Sequence, residues 1–256
     1  MKVIIFLIIG IFFISCAQDD DFVNNNVYNN TPVYNQENDV DPLNLNNDYR
    51  FQEGYINTSD DISIYYRLYH KKENKGLIVL SHKQNSSLEE WDILIDILLD
   101  SDYDIVFYDL RGFGKSSVSY LAINKMPDDL RLIVDFAQNN NKNKFKNIVF
   151  IGNGLGANIS LYSSSDYCKI NSSFIMISPD MFSKEMPVGE FNKYCDNSEY
   201  LFLYSKKDFK NLNEQLYIYN YDNLKTMIDS TSDYTGIDIL LNNSVFIKEI
   251  KNIINF

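Results

Sequence analysis

The sequence predicts an α/β domain built on a mostly parallel sheet of eight strands, led by an antiparallel hairpin and covered by helices on both faces. Two observations carry this. From residue 76 onward, short apolar runs alternate with stretches of helical spacing, the pattern of βαβ units. Ahead of them, RFQEGYINT and DISIYYRLYHK read as two strands joined at Asn57–Asp61, a hairpin. GLIVLSH is an apolar strand. SLEEWDILIDILLDSD has helical spacing at Trp91, Ile93, Leu94, Ile97, Leu98 and Leu99, with Ser87 as N-cap and Glu90 three residues on, a capping-box pattern. YDIVFYDL is the next strand. A helix follows over about Pro127–Gln138, with Asp128 and Asp129 in its first turn, where the helix dipole favours acids. Then come a strand over 147–152, a helix opened by Gly156, and the strands SSFIMISP and YLFLYS. A helix near Leu212–Tyr219, the strand LKTMIDS and a helix from about Asp238 to Asn255 complete the chain.

Composition bounds the rest. A chain of 256 residues suits one such domain plus appendages, and 19 Tyr with 17 Phe supply a core. A net charge of −12 argues against nucleic acid as a partner, because the chain's overall repulsion of phosphate outweighs any local basic group. Residues 1–15 read as a signal peptide. Lys2 gives the positive start, and the apolar run Val3–Ile14 is too short to span a bilayer. Phe13-Ile14-Ser15-Cys16 then resembles a bacterial lipobox, which implies lipidation at Cys16 and a membrane anchor on the extracytoplasmic side of the cell envelope. The plainer alternative is a signal peptide followed by an unrelated cysteine. Residues 16–48 hold ten Asn, seven acids and no Lys or Arg, with no helical or strand period. They read as a disordered tether with a reach of roughly 30 Å. The folded domain is expected over residues 49–256.

Four motifs place the chemistry. LSHKQNSSLEEW carries His82 and Lys83 after an apolar strand. YDLRGFGKS holds Asp109, Arg111, Gly112, Gly114 and Ser116. GNGLGAN sets Gly152, Gly154 and Gly156 between a strand and a helix. LYSKKD ends a strand with Asp208. In this order they resemble the α/β-hydrolase family over about residues 50–256. There the third motif is the G-x-S-x-G elbow that raises a serine above the sheet, and the first is the loop that helps bind the oxyanion. The stretch between Pro179 and Tyr200 is too short for a large lid. The resemblance implies an acyl-transfer site needing a nucleophile, a histidine base and an acid to orient it. This sequence has Gly154 at the nucleophile and Thr235, before Gly236, at the base. Asp208 maps to the acid. The chain's other histidine, His70, lies on the second strand. Glycine also adopts the positive φ of an elbow freely.

These readings imply a membrane-anchored lipoprotein whose hydrolase-like domain has no catalytic residue and keeps a binding role, with Gly154, Asp208 and Thr235 as vestiges. Two alternatives stand beside it: an active ester or amide hydrolase using other groups, and a structural envelope lipoprotein. The ligand candidates are His82, Lys83 and the backbone of Leu155 and Gly156, where a helix N-terminus favours a small anion. Ser160 as a displaced nucleophile, or DLRGFGKS as a phosphate loop, are weaker readings, the latter lacking G-x-x-x-x-G-K-[ST] spacing. No metal or other cofactor is expected. Cys168 and Cys195 could be buried thiols, but the fold that the resemblance implies puts them before two adjacent parallel strands, where a disulfide is expected. Ligand identity, oligomeric state and the choice of inner or outer membrane stay open.

Overall fold

A computed structural model describes residues 49–117, 122–141, 144–179, 186, 195, 197–209, 223–231, 233–241 and 243–254. The expected signal peptide, Cys16, the tether and the helix near Leu212–Tyr219 lie outside the described residues, as does most of the Pro179–Tyr200 stretch. The hairpin is β1 (Tyr49–Asn57) and β2 (Ser63–Lys71), antiparallel, with Tyr49 opposite Lys71. It is followed by β3 (Gly76–Ser81), β4 (Tyr103–Tyr108), β5 (Asn147–Asn153), β6 (Asn171–Ile177), β7 (Glu199–Ser205) and β8 (Leu224–Asp229). The eight strands form one sheet in the order β1-β2-β4-β3-β5-β6-β7-β8. β2 pairs antiparallel with β4, and every pairing from β4 to β8 is parallel. Among the described residues no helix is long and apolar enough to cross a membrane.

The central strands carry apolar residues on both faces along their middles because both faces are covered. Along β3, Leu77 and Val79 join one buried cluster while Ile78 and Leu80 join the other. β5 repeats this, with Ile148 and Phe150 on one face and Val149 and Ile151 on the other. The first face receives α2 (Met126–Asn140) through Leu130, Ile133 and Val134, and α3 (Leu155–Tyr162) through Ala157, Ile159 and Leu161. The second receives a 3-10 turn (Leu88–Leu94) with α1 (Ile95–Leu99), and α5 (Asp238–Leu241) with α6 (Ser244–Ile254). The remaining short helix, α4 (Lys206–Phe209), follows β7.

Two expectations are corrected in detail. The helix after β3 begins as a 3-10 turn, and no side chain caps it. The Ser87 hydroxyl goes to the Glu89 carboxylate, and Glu90 turns inward to accept from Lys83 N (3.0 Å) and Asn153 Nδ2 (3.1 Å). The C-terminal helix is two helices rather than one. Asn243 breaks it, its Oδ1 accepting from the amides of Val245 and Phe246, both at 3.2 Å, as an N-cap. Asp229 at the end of β8 holds the same asparagine, accepting from its Nδ2 at 3.1 Å.

The disulfide is formed between Cys168 and Cys195, with Cα atoms 5.1 Å apart. The two cysteines precede β6 and β7, which are adjacent and parallel.

Candidate active site

In an open parallel sheet, ligands bind beyond the carboxyl ends of the strands, where the strand order reverses. Here the reversal falls between β3 and β5, since β4 pairs on one side of β3 and β5 on the other. The loop after β3 carries His82 and Lys83. The turn after β5 carries Gly154.

Gly154 has φ 53° and ψ −117° and caps α3. Its neighbours in the motif are glycines for a different reason, close approach. A Cβ on Gly152 would stand 2.4 Å from Ala157 Cα, and one on Gly156 would stand 1.9 Å from the Ser81 carbonyl oxygen. Together they let α3 press onto β5 and β3. A Cβ on Gly154 itself would meet Lys83 Cβ at 3.1 Å. Lys83 is pinned there through its amide, which donates to Glu90, and its carbonyl, which accepts from His82 Nδ1 at 2.7 Å.

His82 is fully buried. Its Nδ1–H goes to the Lys83 carbonyl, and its Nε2 accepts from Leu110 N at 2.9 Å. Both ring nitrogens are thereby used, the ring is neutral, and burial lowers its pKa to about 4. As a ligand group it is closed off, which corrects the sequence expectation; it fixes the loop that carries Lys83. Burial also raises the Glu90 carboxyl above its ordinary value. Asn153, wholly buried beside Glu90, keeps a side-chain oxygen with no hydrogen bond to any described residue.

The DLRGFGKS turn is a buried brace. Asp109 accepts from Leu88 N (2.7 Å) and Lys115 N (2.6 Å). Gly114 passes so close that a Cβ would lie 2.2 Å from Asp109 Oδ2. The Arg111 guanidinium grips Asp129 on α2 through Nε (2.6 Å) and Nη2 (2.5 Å), and reaches Asp60 in the hairpin turn through Nη1 at 3.0 Å. This keeps Arg111 charged and holds Asp60 well below its ordinary pKa. Ser116 Oγ donates to the Asp109 carbonyl (2.7 Å) and accepts from Tyr65 N (2.9 Å). The motif's polar groups are thus spent on joining the hairpin, β4, the 3-10 turn and α2. Ser160 is equally engaged, buried in α3 and donating to the Gly156 carbonyl at 2.9 Å.

Asp208 sits on α4, just past β7. Its Oδ2 accepts from Ser178 Oγ (2.6 Å) and Ser205 Oγ (3.0 Å). Ser178 follows β6 directly, at φ 43°, and its Oγ also accepts from Gly236 N at 3.0 Å. One hydroxyl therefore links the acid position to the terminal loop that carries Thr235. Gly236 in turn leans on the elbow, a Cβ there meeting Asn153 Oδ1 at 3.0 Å. Gly154, Asp208 and the Thr235–Gly236 loop are thus brought to one sheet edge. Sequence reading missed Ser178 and Glu90. Nothing local marks the first, whose role depends on β6 lying beside β7. The second carried a visible but wrong signal, the capping box.

Residues 72–215 match the family model of serine aminopeptidase, S33. The chain belongs to this family. The S33 family assignment agrees with solved structures of the α/β-hydrolase fold. An esterase from Pyrococcus furiosus superimposes with a TM-score of 0.62 at 18% identity, over 80% of this chain and 90% of that one. A predicted CIB-like hydrolase from Thermoplasma acidophilum gives 0.61 at 16%, over 80% and 98%. A carboxyl esterase from Bacillus coagulans, solved with glycerol, gives 0.61 at 10%, over 79% and 96%. At these identities the likeness is one of fold. No curated protein matches the chain.

Proposed function

We propose that this S33-family chain is a lipid-anchored lipoprotein of the bacterial envelope whose hydrolase-like domain binds a ligand without cleaving it. The observation that carries the reading is Gly154 at the elbow, at positive φ and with Lys83 Cβ against it. No acyl-enzyme forms on a residue without a side chain. Two further observations support it. The family motif aligns Thr235 and Gly236 with the position of the histidine base, and the Ser178 hydroxyl donates to the Asp208 oxygen that would accept from such a base. The ligand class that suits the edge is a small carboxylate, set at the α3 N-terminus beside Lys83, where backbone N–H groups and the helix dipole favour an anion. The relatives named esterases set the opposing reading, an ester hydrolase working through other groups.

A fluorophosphonate probe on the purified chain, run beside turnover of a short-chain ester, separates the two. The expected result is no stoichiometric serine labelling and no turnover. Labelling of one serine, with turnover abolished by its substitution, would establish a working enzyme. Titration with short carboxylates, followed by the amide resonances of Leu155 and Gly156, tests the binding role.

A further inference from the structure

We infer that the amino-terminal edge of the sheet is a docking face for an anionic lipid bilayer, so that the domain stands on the membrane with its elbow turned outward. The inference rests on the proposed anchor at Cys16 and adds what the anchored domain does with its surface.

The register places the tether's arrival. β1 starts at Tyr49, opposite Lys71 at the end of β2. The Lys71 ammonium lies 5.0 Å over the Tyr49 ring, whose hydroxyl donates to Ser101 O at 2.8 Å. The chain coming from Cys16 therefore meets the domain at the edge where the parallel strands begin. Lysines follow that edge across the sheet. Lys72 and Lys75 stand before β3, Lys144 and Lys146 before β5, and Lys169 before β6, all exposed. The starts of these strands are laced together, Asn147 Nδ2 donating to the Lys75 carbonyl and Asn171 Nδ2 to Asn147 Oδ1. The lysines thus stand on one rigid row.

Their charge is largely unspent. Asp102 pairs with Lys71 and Lys75. Lys72, Lys144, Lys146 and Lys169 make no ion pair with any described residue. Glu73, Asp100, Asp102 and Glu199 are the exposed acids on the same edge, and Asp135 on α2 acts on Lys144 at longer range. A depression of about 430 Å³ opens among Lys71, Lys72, Glu73, Asn74, Lys75 and Asp102. In a chain of net charge −12, six lysines, Lys71, Lys72, Lys75, Lys144, Lys146 and Lys169, against four exposed acids leave the edge where the tether arrives with a local positive excess. Each lysine held near an anionic bilayer strengthens association about fivefold at moderate salt. The elbow lies at the far end of β5, whose seven residues span roughly 23 Å.

The test is amine labelling of the full chain on vesicles, read lysine by lysine in a mass spectrometer, with the N-terminal peptide reporting acylation. On phosphatidylglycerol vesicles at about 50 mM salt, labelling of Lys72, Lys144, Lys146 and Lys169 should fall at least threefold relative to phosphatidylcholine vesicles. Lys206 and Lys207, on α4 at the opposite edge, should not change, and high salt should abolish the difference. In the chain carrying Lys72→Glu, Lys144→Glu, Lys146→Glu and Lys169→Glu, Lys75 should label equally on both lipids. Equal labelling of both edges on the anionic vesicles overturns the inference. So does protection that is the same on both lipids and in detergent, which would give the edge to the chain's own acidic tether. An unacylated N-terminus refutes the anchor alone, because the comparison between lipids scores the edge however the chain is held.

Discussion

At the scale of single residues, the site is built from backbone conformation and spent hydrogen bonds. Gly154 combines a φ of 53° with a neighbour 3.1 Å from its missing Cβ. Gly154→Ala should therefore cost about 1–3 kcal/mol in urea unfolding. An alanine variant as stable as the parent would show that the turn relaxes and the elbow is unstrained. His82 makes a pH prediction. Its folded pKa, about 4, lies below the ordinary 6.5. Between those values the unfolded chain binds the proton and the folded chain does not, so stability falls as pH drops through that window. The contribution is fully present above about pH 6.5 and amounts to on the order of 3 kcal/mol. Carboxyls that burial raises, among them Glu90, Asp109 and Asp129, act in the opposite sense. The His82→Gln variant isolates the histidine. It should be less stable at pH 7 and show a shallower loss between pH 6.5 and 4. Parallel curves for the two proteins would mean that the ring is reached by protons in the fold.

At the scale of elements, the cross-link before β6 and β7 is the clearest case of a part predicted and found. In the chain-entropy account, closing its loop contributes about 3–4 kcal/mol. Full reduction should therefore lower the melting temperature by roughly 10 °C in a domain of this size. An unchanged melting point after reduction would refute that contribution. The strands were legible because each shows its own burial. The middles of β3 (Leu77 to Leu80) and β5 (Ile148 to Ile151) are unbroken apolar runs, as a sheet covered on both faces requires. The elbow was legible because its three glycines carry a spacing. Connections decided by partners distant in sequence were not. Glu90 reads as a cap until Asn153 and Lys83 claim its carboxylate. The long C-terminal helix reads as one because its apolar spacing runs through Asn243, whose capping role is fixed by Asp229. Ser178 is an ordinary serine at a strand end until β7 brings Asp208 to it.

At the scale of the whole molecule, the edge that would hold a catalytic triad is filled rather than vacant. Gly154→Ser, Thr235→His and the two together should all stay unlabelled by a fluorophosphonate probe. The new serine meets Lys83, and Asp208 is already taken by Ser178 and Ser205. Adding Lys83→Gly and Ser178→Gly should open both places and give measurable labelling. Glycine suits the positive φ of residue 178. Labelling in the double variant would show that neither obstruction matters. On the proposed reading, the contact between Lys83 and Gly154 also makes single-residue repair unproductive: a serine placed at 154 alone meets the Lys83 side chain, and a histidine placed at 235 alone has no nucleophile to activate.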